Sequence, residues 1–275
     1  MEHTQPAINK TDLKFKNHTY MKRIIILTAL VLPTYYLANA QEKGKPEETE
    51  FYSPVPPVVT PGGSFSDAPS DAIILFDGRN LDQWVNTNDS TAAKWMVADN
   101  VITVNKSTGD IQTRSKFTDF QLHIEYRIPS NITGSGQARG NSGIFLAALP
   151  WGAGGYELQV LDNYKNTTYV NGQVGSMYKQ AVPLANACKK PGEWQTYDVV
   201  WTAPKFSKEG ILVSLARVTA FHNGVLVQNN VSLLGDTPYI GQPSYRPHGP
   251  APIKLQAHGD KSEPISYRNI WVRNL

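Results

Sequence analysis

Residues 120–128 read Phe-Gln-Leu-His-Ile-Glu-Tyr-Arg-Ile, and the strict alternation in that run constrains the chain more than any other feature. With a side-chain period of two, Leu122, Ile124, Tyr126 and Ile128 face one way and His123, Glu125 and Arg127 the other, as in a half-buried β-strand. Nothing between Asp71 and Leu275 has the three-to-four-residue periodicity of a long amphipathic helix. Similar short runs recur with turn residues between them. Trp95–Val97 and Val101–Val104 flank Ala98-Asp99-Asn100 as a hairpin. Ile211–Phe221 and Val225–Val231 flank His222-Asn223-Gly224, and Asn-Gly is a strong hairpin signal because both residues tolerate positive φ. Trp194–Trp201, Ile253–His258 and Ser266–Val272 add further strands. Many short strands joined by Gly- and Asn-rich turns predict an all-β sandwich or barrel.

The ends of the 275-residue chain read differently. Met21-Lys-Arg, an apolar run from Ile24 to Leu37, and Ala38-Asn39-Ala40-Gln41 form the basic, apolar and A-x-A regions of a secretory leader. Residues 1–20 are then an upstream extension, 21–40 a cleaved leader, and 41–70 a proline-rich linker too poor in apolar residues to fold by itself. The expected product is exported to the periplasm or the outside of a bacterial cell, without membrane insertion after cleavage. Residues 71–275 make one domain large enough to bury a core. Cys188 is the single cysteine, which excludes an internal disulfide framework. A net charge of +3 without a Lys/Arg cluster gives no nucleic-acid footprint.

Several strands carry ionisable and amide groups opposite their apolar residues. They are His123/Glu125/Arg127, Glu157/Gln159 and Lys254/Gln256/His258. Such a face predicts one sheet whose outer surface is a polar groove. Glu157 and Gln159 share that face because they are two apart on a strand. Trp151 lies in Pro150-Trp151-Gly152-Ala153-Gly154-Gly155, where an aromatic ring on a glycine-rich loop can stack on sugar C–H groups. The loop Gly235–Pro252 is placed to roof one end of the groove. No HExxH, paired-cysteine or Ca²⁺-loop spacing is present.

The order of short motifs resembles one family. Leu75-Phe76-Asp77-Gly78 with Leu81 and Trp84 is similar to its opening, and Asp110-Ile111-Gln112-Thr113 follows. Then come Phe120–Tyr126, Asn141-Ser142-Gly143-Ile144-Phe145, Tyr156-Glu157-Leu158-Gln159-Val160-Leu161-Asp162 and Gly175-Ser176-Met177-Tyr178. Leu255-Gln256-Ala257-His258-Gly259 and Tyr267-Arg268-Asn269-Ile270 complete the series. Together they resemble the domain of unknown function 1080 family, described as 3-keto-disaccharide hydrolases or 3-keto-glucoside 1,2-lyases and hydratases. The resemblance implies a concanavalin A-like jelly roll of two curved antiparallel sheets and a glycan-binding concave face.

It also implies the chemistry. A ketone at C3 acidifies the C2 hydrogen, so a base can start a β-elimination that expels the C1 substituent, and water can then add back. This route needs one base, one acid and donors at the ketone, without a nucleophilic carboxylate. Glu157 and His258 are the expected base and acid in undetermined order, with Glu125 as second choice. Gln159, Asn141 and Gln256 are expected to bind sugar hydroxyls or the keto oxygen, with Tyr178, Arg139 and Trp151 in the groove. Glycanases of this fold carry a second carboxylate two residues further along the strand, where this chain has Gln159. The sequence specifies no cofactor, and a divalent ion stabilising an enolate would suit this chemistry. A separate oxidoreductase must make the C3 ketone. A conventional glycoside hydrolase and a non-catalytic carbohydrate-binding module are the alternatives for this fold.

Overall fold

The computed structural model describes residues 44–151 and 154–275; the leader expected at 21–40 and the extension before it lie outside the described residues. The chain divides into two units between Pro57 and Val58. In the first, the described residues contain one turn of 3-10 helix, Pro46–Thr49. The second holds all the strands found among the described residues.

These are β1 (Ile73–Phe76), β2 (Trp84–Asn86), β3 (Met96–Ala98), β4 (Val101–Thr103) and β5 (Ile111–Thr113). Then come β6 (Phe120–Arg127), β7 (Ser142–Ala148), β8 (Gly155–Val160), β9 (Trp194–Thr202) and β10 (Lys205–Phe206). The last are β11 (Leu212–Ser214), β12 (Arg217–His222), β13 (Val225–Ser232), β14 (Lys254–Leu255) and β15 (Ser266–Asn274). An eight-stranded antiparallel sheet runs β13-β12-β9-β6-β15-β4-β3, with β1 also beside β15. A five-stranded sheet runs β2-β5-β14-β7-β8, and β10-β11 form a separate ribbon. The fold is the all-β sandwich that the alternation predicts and the jelly roll that the resemblance implies, and no α-helix occurs among the described residues.

The local signals hold where they are strongest. Asp99 and Asn100 turn β3 into β4 with φ of 52° and 61°, and Asn223 and Gly224 turn β12 into β13 with φ of 52° and 79°. Both are two-residue turns with positive φ at both positions, whose twist matches the flanking strands. The stretch expected as one strand from Ile211 to Phe221 is two, and of Ile253–His258 only Lys254–Leu255 is regular strand.

Leu122, Ile124 and Tyr126 of β6 and Tyr197, Val199 and Trp201 of β9 point inward. They meet Ile144 and Leu146 of β7 and Tyr156, Leu158 and Val160 of β8 in one buried cluster. Each such side chain contributes roughly 1.5–3 kcal/mol when fully buried. Polar atoms that enter the core are paired across it. The Tyr197 hydroxyl donates to the Gln159 carbonyl at 2.8 Å, and Ser142 and Tyr267 share a 2.8 Å hydrogen bond.

The two sheets share this core, so their polar outer faces point in opposite directions. The single polar groove expected from the sequence is therefore two separate surfaces. His123 and Glu125 belong to the eight-stranded sheet, whereas Glu157, Gln159 and Lys254 belong to the five-stranded one. The second half of the expected linker is also held in place. Thr60 and Ser70 pair in both directions, and the Ser66 carbonyl accepts from Asn269 Nδ2 at 2.8 Å and Trp271 Nε1 at 3.0 Å.

Candidate active site

Register places the side chains of the five-stranded sheet in rows. Lys254 of β14 pairs with Gln112 of β5 and Phe145 of β7, and Phe145 pairs with Glu157 of β8. Gln112, Lys254, Phe145 and Glu157 therefore form one row on the outer face. Two residues along, Gly143 pairs with Gln159, and the Gln256 amide donates to the Gly143 carbonyl at 3.0 Å. Asn141 and His258 follow in a third row, with Asn141 Nδ2 3.4 Å from His258 Nε2. A cleft of about 220 Å³ lies over the second and third rows. It is lined by Asn141, Glu157, Gln159, Tyr178, Tyr239, Gln256 and His258.

Glu157 is held for a purpose other than pairing. Its backbone is anchored by a 2.9 Å bond to Thr237 Oγ1, from the loop over this face. Its side chain leans across Gly143, where an added Cβ would lie only 2.5 Å from Glu157 Oε1. Burial pushes its pKa up to about 8, against the opposing pull of Lys254, while Asp110 adds to the rise. Lys254 itself is committed elsewhere. Its ammonium is 3.4 Å from Asp110 Oδ2 and 3.6 Å above the Phe145 ring. Glu157 is therefore a carboxylic acid at neutral pH, placed at the cleft wall.

His258 has a fixed orientation. Its Nδ1 is 2.7 Å from Asp260 Oδ2, which leaves Nε2 toward Asn141 and the cleft. Burial works against the Asp260 charge, but hydrogen bonds from Ser262, His258 and Lys106 hold its pKa below the usual range. Lys106 Nζ lies 3.0 Å from Asp260 Oδ1, and the Ser262 amide donates at 2.7 Å. An ionised, buried carboxylate on Nδ1 selects the tautomer with its proton there and a lone pair on Nε2. Asp260 was not singled out from the sequence. The signal lies in His258-Gly259-Asp260, but beyond the end of β14 at Leu255 the strand period no longer fixes where a side chain points.

The amides complete the cleft. Gln159 Nε2 donates to Asn141 Oδ1 at 3.0 Å, and Asn141 Nδ2 to the Gln137 carbonyl at 2.8 Å. Gln159 Oε1 and Gln256 Oε1 are buried without a protein partner among the described residues. Unpaired buried acceptors are costly, and a hydroxyl-rich ligand would satisfy both. Tyr178 bonds hydroxyl to hydroxyl with Tyr169, and burial followed by that bond raises its pKa.

The cleft thus gathers Glu157, His258, Gln159, Asn141, Gln256 and Tyr178 of the residues expected from sequence. The other three lie apart. Glu125 is on the opposite sheet, bonded to Arg268 Nε at 2.6 Å and Asn269 Nδ2 at 2.9 Å. Arg139 turns to Asp162 at 2.6 Å and to the Ile132 carbonyl at 3.0 Å, so its donors serve the loop and not the cleft. Trp151 lines a neighbouring cavity of about 520 Å³. Among the described residues no group of three or more His, Cys, Asp or Glu side chains converges as a metal-binding set.

Residues 71–273 match the family of 3-keto-alpha-glucoside-1,2-lyase-like domains. Among solved structures, the chain is similar to a candidate glycosyl hydrolase from Parabacteroides distasonis ATCC 8503, with 55% identity and a TM-score of 0.79. That match covers 86% of this chain and 99% of the other. A second candidate glycosyl hydrolase from the same organism is 20% identical over 74% of this chain and 94% of its own, with a TM-score of 0.53, and shares the fold. No curated protein matches the chain.

Proposed function

The chain belongs to the family of 3-keto-alpha-glucoside-1,2-lyase-like domains, and on that premise we propose that it splits glycosides oxidised at C3 by β-elimination and then hydrates the product. The observation that carries this reading is the composition of the cleft. Its lining holds one carboxyl group, Glu157, and one imidazole, His258. A conventional glycosidase needs two carboxyl groups flanking the bond, about 5–5.5 Å apart in retaining enzymes and roughly 6.5–9.5 Å in inverting ones. Gln159 occupies the neighbouring outward position on β8, and Asp162 is tied to Arg139.

His258 is the base. With Nδ1–H held by Asp260, Nε2 takes the C2 proton of the keto sugar. The electron pair of the C2–H bond moves into the enolate on the C3 oxygen. Donors at that oxygen come from the side-chain amide of Gln256 and the Tyr178 hydroxyl, which is free to donate when it accepts from Tyr169. The enolate collapses to restore C3=O and form C1=C2, and the C1–O bond breaks. Glu157, protonated below about pH 8, gives its proton to the departing oxygen. Hydration reverses the roles. The Glu157 carboxylate takes a proton from water as oxygen adds at C1, and the His258 imidazolium returns its proton to C2. The net result is a free 3-keto sugar and the released alcohol.

Incubation with a 3-keto-glucoside and with its unoxidised counterpart tests this. Release from the keto substrate alone, with deuterium entering C2 in D₂O, is expected. Equal release from both without C2 exchange would sink the elimination. Action outside the cytoplasm follows from the leader at residues 21–40 and is checked by N-terminal sequencing of exported protein, expected to begin at Gln41. The substrate requires a separate enzyme that oxidises a sugar 3-hydroxyl; glycosides left uncleaved by cells lacking any such activity would agree with this.

A further inference from the structure

The reaction above leaves one aromatic residue of the cleft lining without a task, Tyr239. We infer that Tyr239 is the ring-stacking residue that retains the unsaturated intermediate between elimination and hydration, and that Lys179 is the positioning residue that holds it at the cleft. This rests on the elimination reading above.

Tyr239 sits near the tip of a loop with a pinched base. The Asp236 amide donates to the Ser244 carbonyl at 3.2 Å. Gly235, at φ of 145°, passes so close that a Cβ would lie 2.3 Å from the Ser244 backbone. One stem is fixed to the sheet. The Thr237 amide donates to the Gly155 carbonyl at 2.9 Å, and Thr237 Oγ1 accepts from the Glu157 amide at 2.9 Å. The loop is thus joined to the strand that carries the proposed acid. Its tip is held by Lys179, whose ammonium donates to the Tyr239 carbonyl and lies 4.6 Å from the Tyr239 ring centroid. The next residue, Gln180, bonds the Leu234 amide and the Gly235 carbonyl, each at 3.0 Å. Lys179 has φ of 60°, a left-handed conformation that residues with a Cβ seldom adopt and that recurs at functional sites. In that turn Tyr178 lines the cleft while Lys179, next in the chain, reaches the loop.

Space and chemistry agree. Tyr239 lines the cleft of about 220 Å³ and also a second cavity of about 350 Å³, shared with Trp151, Asp236, Ile240 and Arg246. The tip is therefore a wall between two spaces. When the C1–O bond breaks, the departing alcohol no longer anchors the remaining sugar. That sugar has C1=C2 conjugated with C3=O, and most of its ring lies in one plane. A planar conjugated ring lies flatter on an aromatic face than a chair does, so the Tyr239 contact strengthens as the intermediate forms. Hydration adds the hydroxyl of water at C1 and a proton at C2, the ring puckers, and that contact weakens before release. Glycoside and water give 3-keto sugar and alcohol, with no oxidant or reductant consumed.

The test follows methyl 3-keto-glucoside by NMR and compares free 3-keto sugar with unsaturated enone released to solution. The unmodified protein should release mainly the hydrated sugar. Tyr239→Ala should raise the enone share roughly fivefold, the scale of one aromatic contact. Tyr239→Phe should stay within about twofold of the parent, because the ring face and not the hydroxyl does the stacking. Lys179→Met should shift the ratio the same way by about half as much, through loss of its ammonium from the Tyr239 ring and carbonyl. Tyr239 is 67% exposed, so its variants keep the fold. An unchanged ratio in Tyr239→Ala, an equal shift in Tyr239→Phe, or enone as the main product of the parent overturns retention by Tyr239. An unchanged ratio in Lys179→Met overturns its positioning role. If no 3-keto-glycoside is turned over at all, the elimination reading fails by itself. Calorimetric titration with 3-keto-glucose then decides the stacking role: weaker binding to Tyr239→Ala than to Tyr239→Phe supports it, and equal or absent binding overturns it.

Discussion

The two outer faces of the sandwich carry the same residue types and use them in opposite ways. On the eight-stranded sheet, His123 lies between Asp198 at 2.7 Å and Glu125 at 3.7 Å, stacked on Trp271 at 5.4 Å. Burial acts against its charge, but bonds to Asp198 and Glu125 outweigh it and lift its pKa to about 9. Burial likewise opposes the charge of Glu125, but His123, Asn269 and Arg268 bring its pKa down to about 2. On the five-stranded sheet, Glu157 has no such saturation and is pushed up to about 8. One face is a closed network that holds the segment at Ser66. The other keeps an acid, a base and two amide oxygens uncommitted. Residue type alone does not make a reactive site; what matters is whether the partners are already supplied.

The sharpest way to break this contrast is to remove the groups on each face in turn. His258→Ala and Glu157→Gln should each lower kcat on a 3-keto-glycoside by about 10³-fold, within the range of general acid–base effects, with unfolding temperature retained. Glu125→Gln should do the reverse, keeping kcat within about threefold while destabilising the fold by roughly 1–2 kcal/mol, less than for a fully buried ion pair because Arg268 is partly exposed to solvent. Activity lost on Glu125→Gln without loss of stability would erase the distinction.

Asp260→Asn isolates positioning from chemistry. It should lower kcat about 10- to 100-fold and leave KM near its original value, because an amide no longer fixes the His258 tautomer. Gly143→Ala should give a smaller loss, about tenfold, by displacing the Glu157 carboxyl that now lies where the Cβ would go.

The mildest probe is pH. Glu157 binds its proton more tightly when folded, so its contribution to stability falls as pH rises from 4.5 through about 8. Glu157→Gln should therefore gain unfolding temperature relative to the parent above pH 8. The opposite face behaves differently. The raised His123 pKa gives stability that is complete below 6.5 and lost through about 9. The lowered Glu125 pKa gives stability complete above 4.5 and lost toward 2. That network is strongest between about pH 4.5 and 6.5, and a thermal melt series on His123→Ala, flat where the parent varies, would check it. The basic limb of kcat/KM should fall above about pH 8 as Glu157 loses the proton it donates.

The sequence by itself determined the all-β class, the two Asn-containing turns and the outward faces of β6 and β8. Alternation along β6, the two Asn-containing turns and the Glu157/Gln159 pair are local properties, fixed within a few residues by the strand period and by positive φ. Only the tertiary structure decided which outward faces coincide. Glu125 and Glu157 look alike in the chain, but β6 pairs with β9 and β15 while β8 pairs with β7. The two-residue β14 brings Lys254 beside Gln112 and Phe145 from far along the chain. Asp260, two residues beyond His258, meets it through one carboxylate oxygen while Lys106 and Ser262 hold the other. Strand pairing and side-chain partners are non-local, and they separate a saturated ion network from a cleft with an acid, a base and room for sugar.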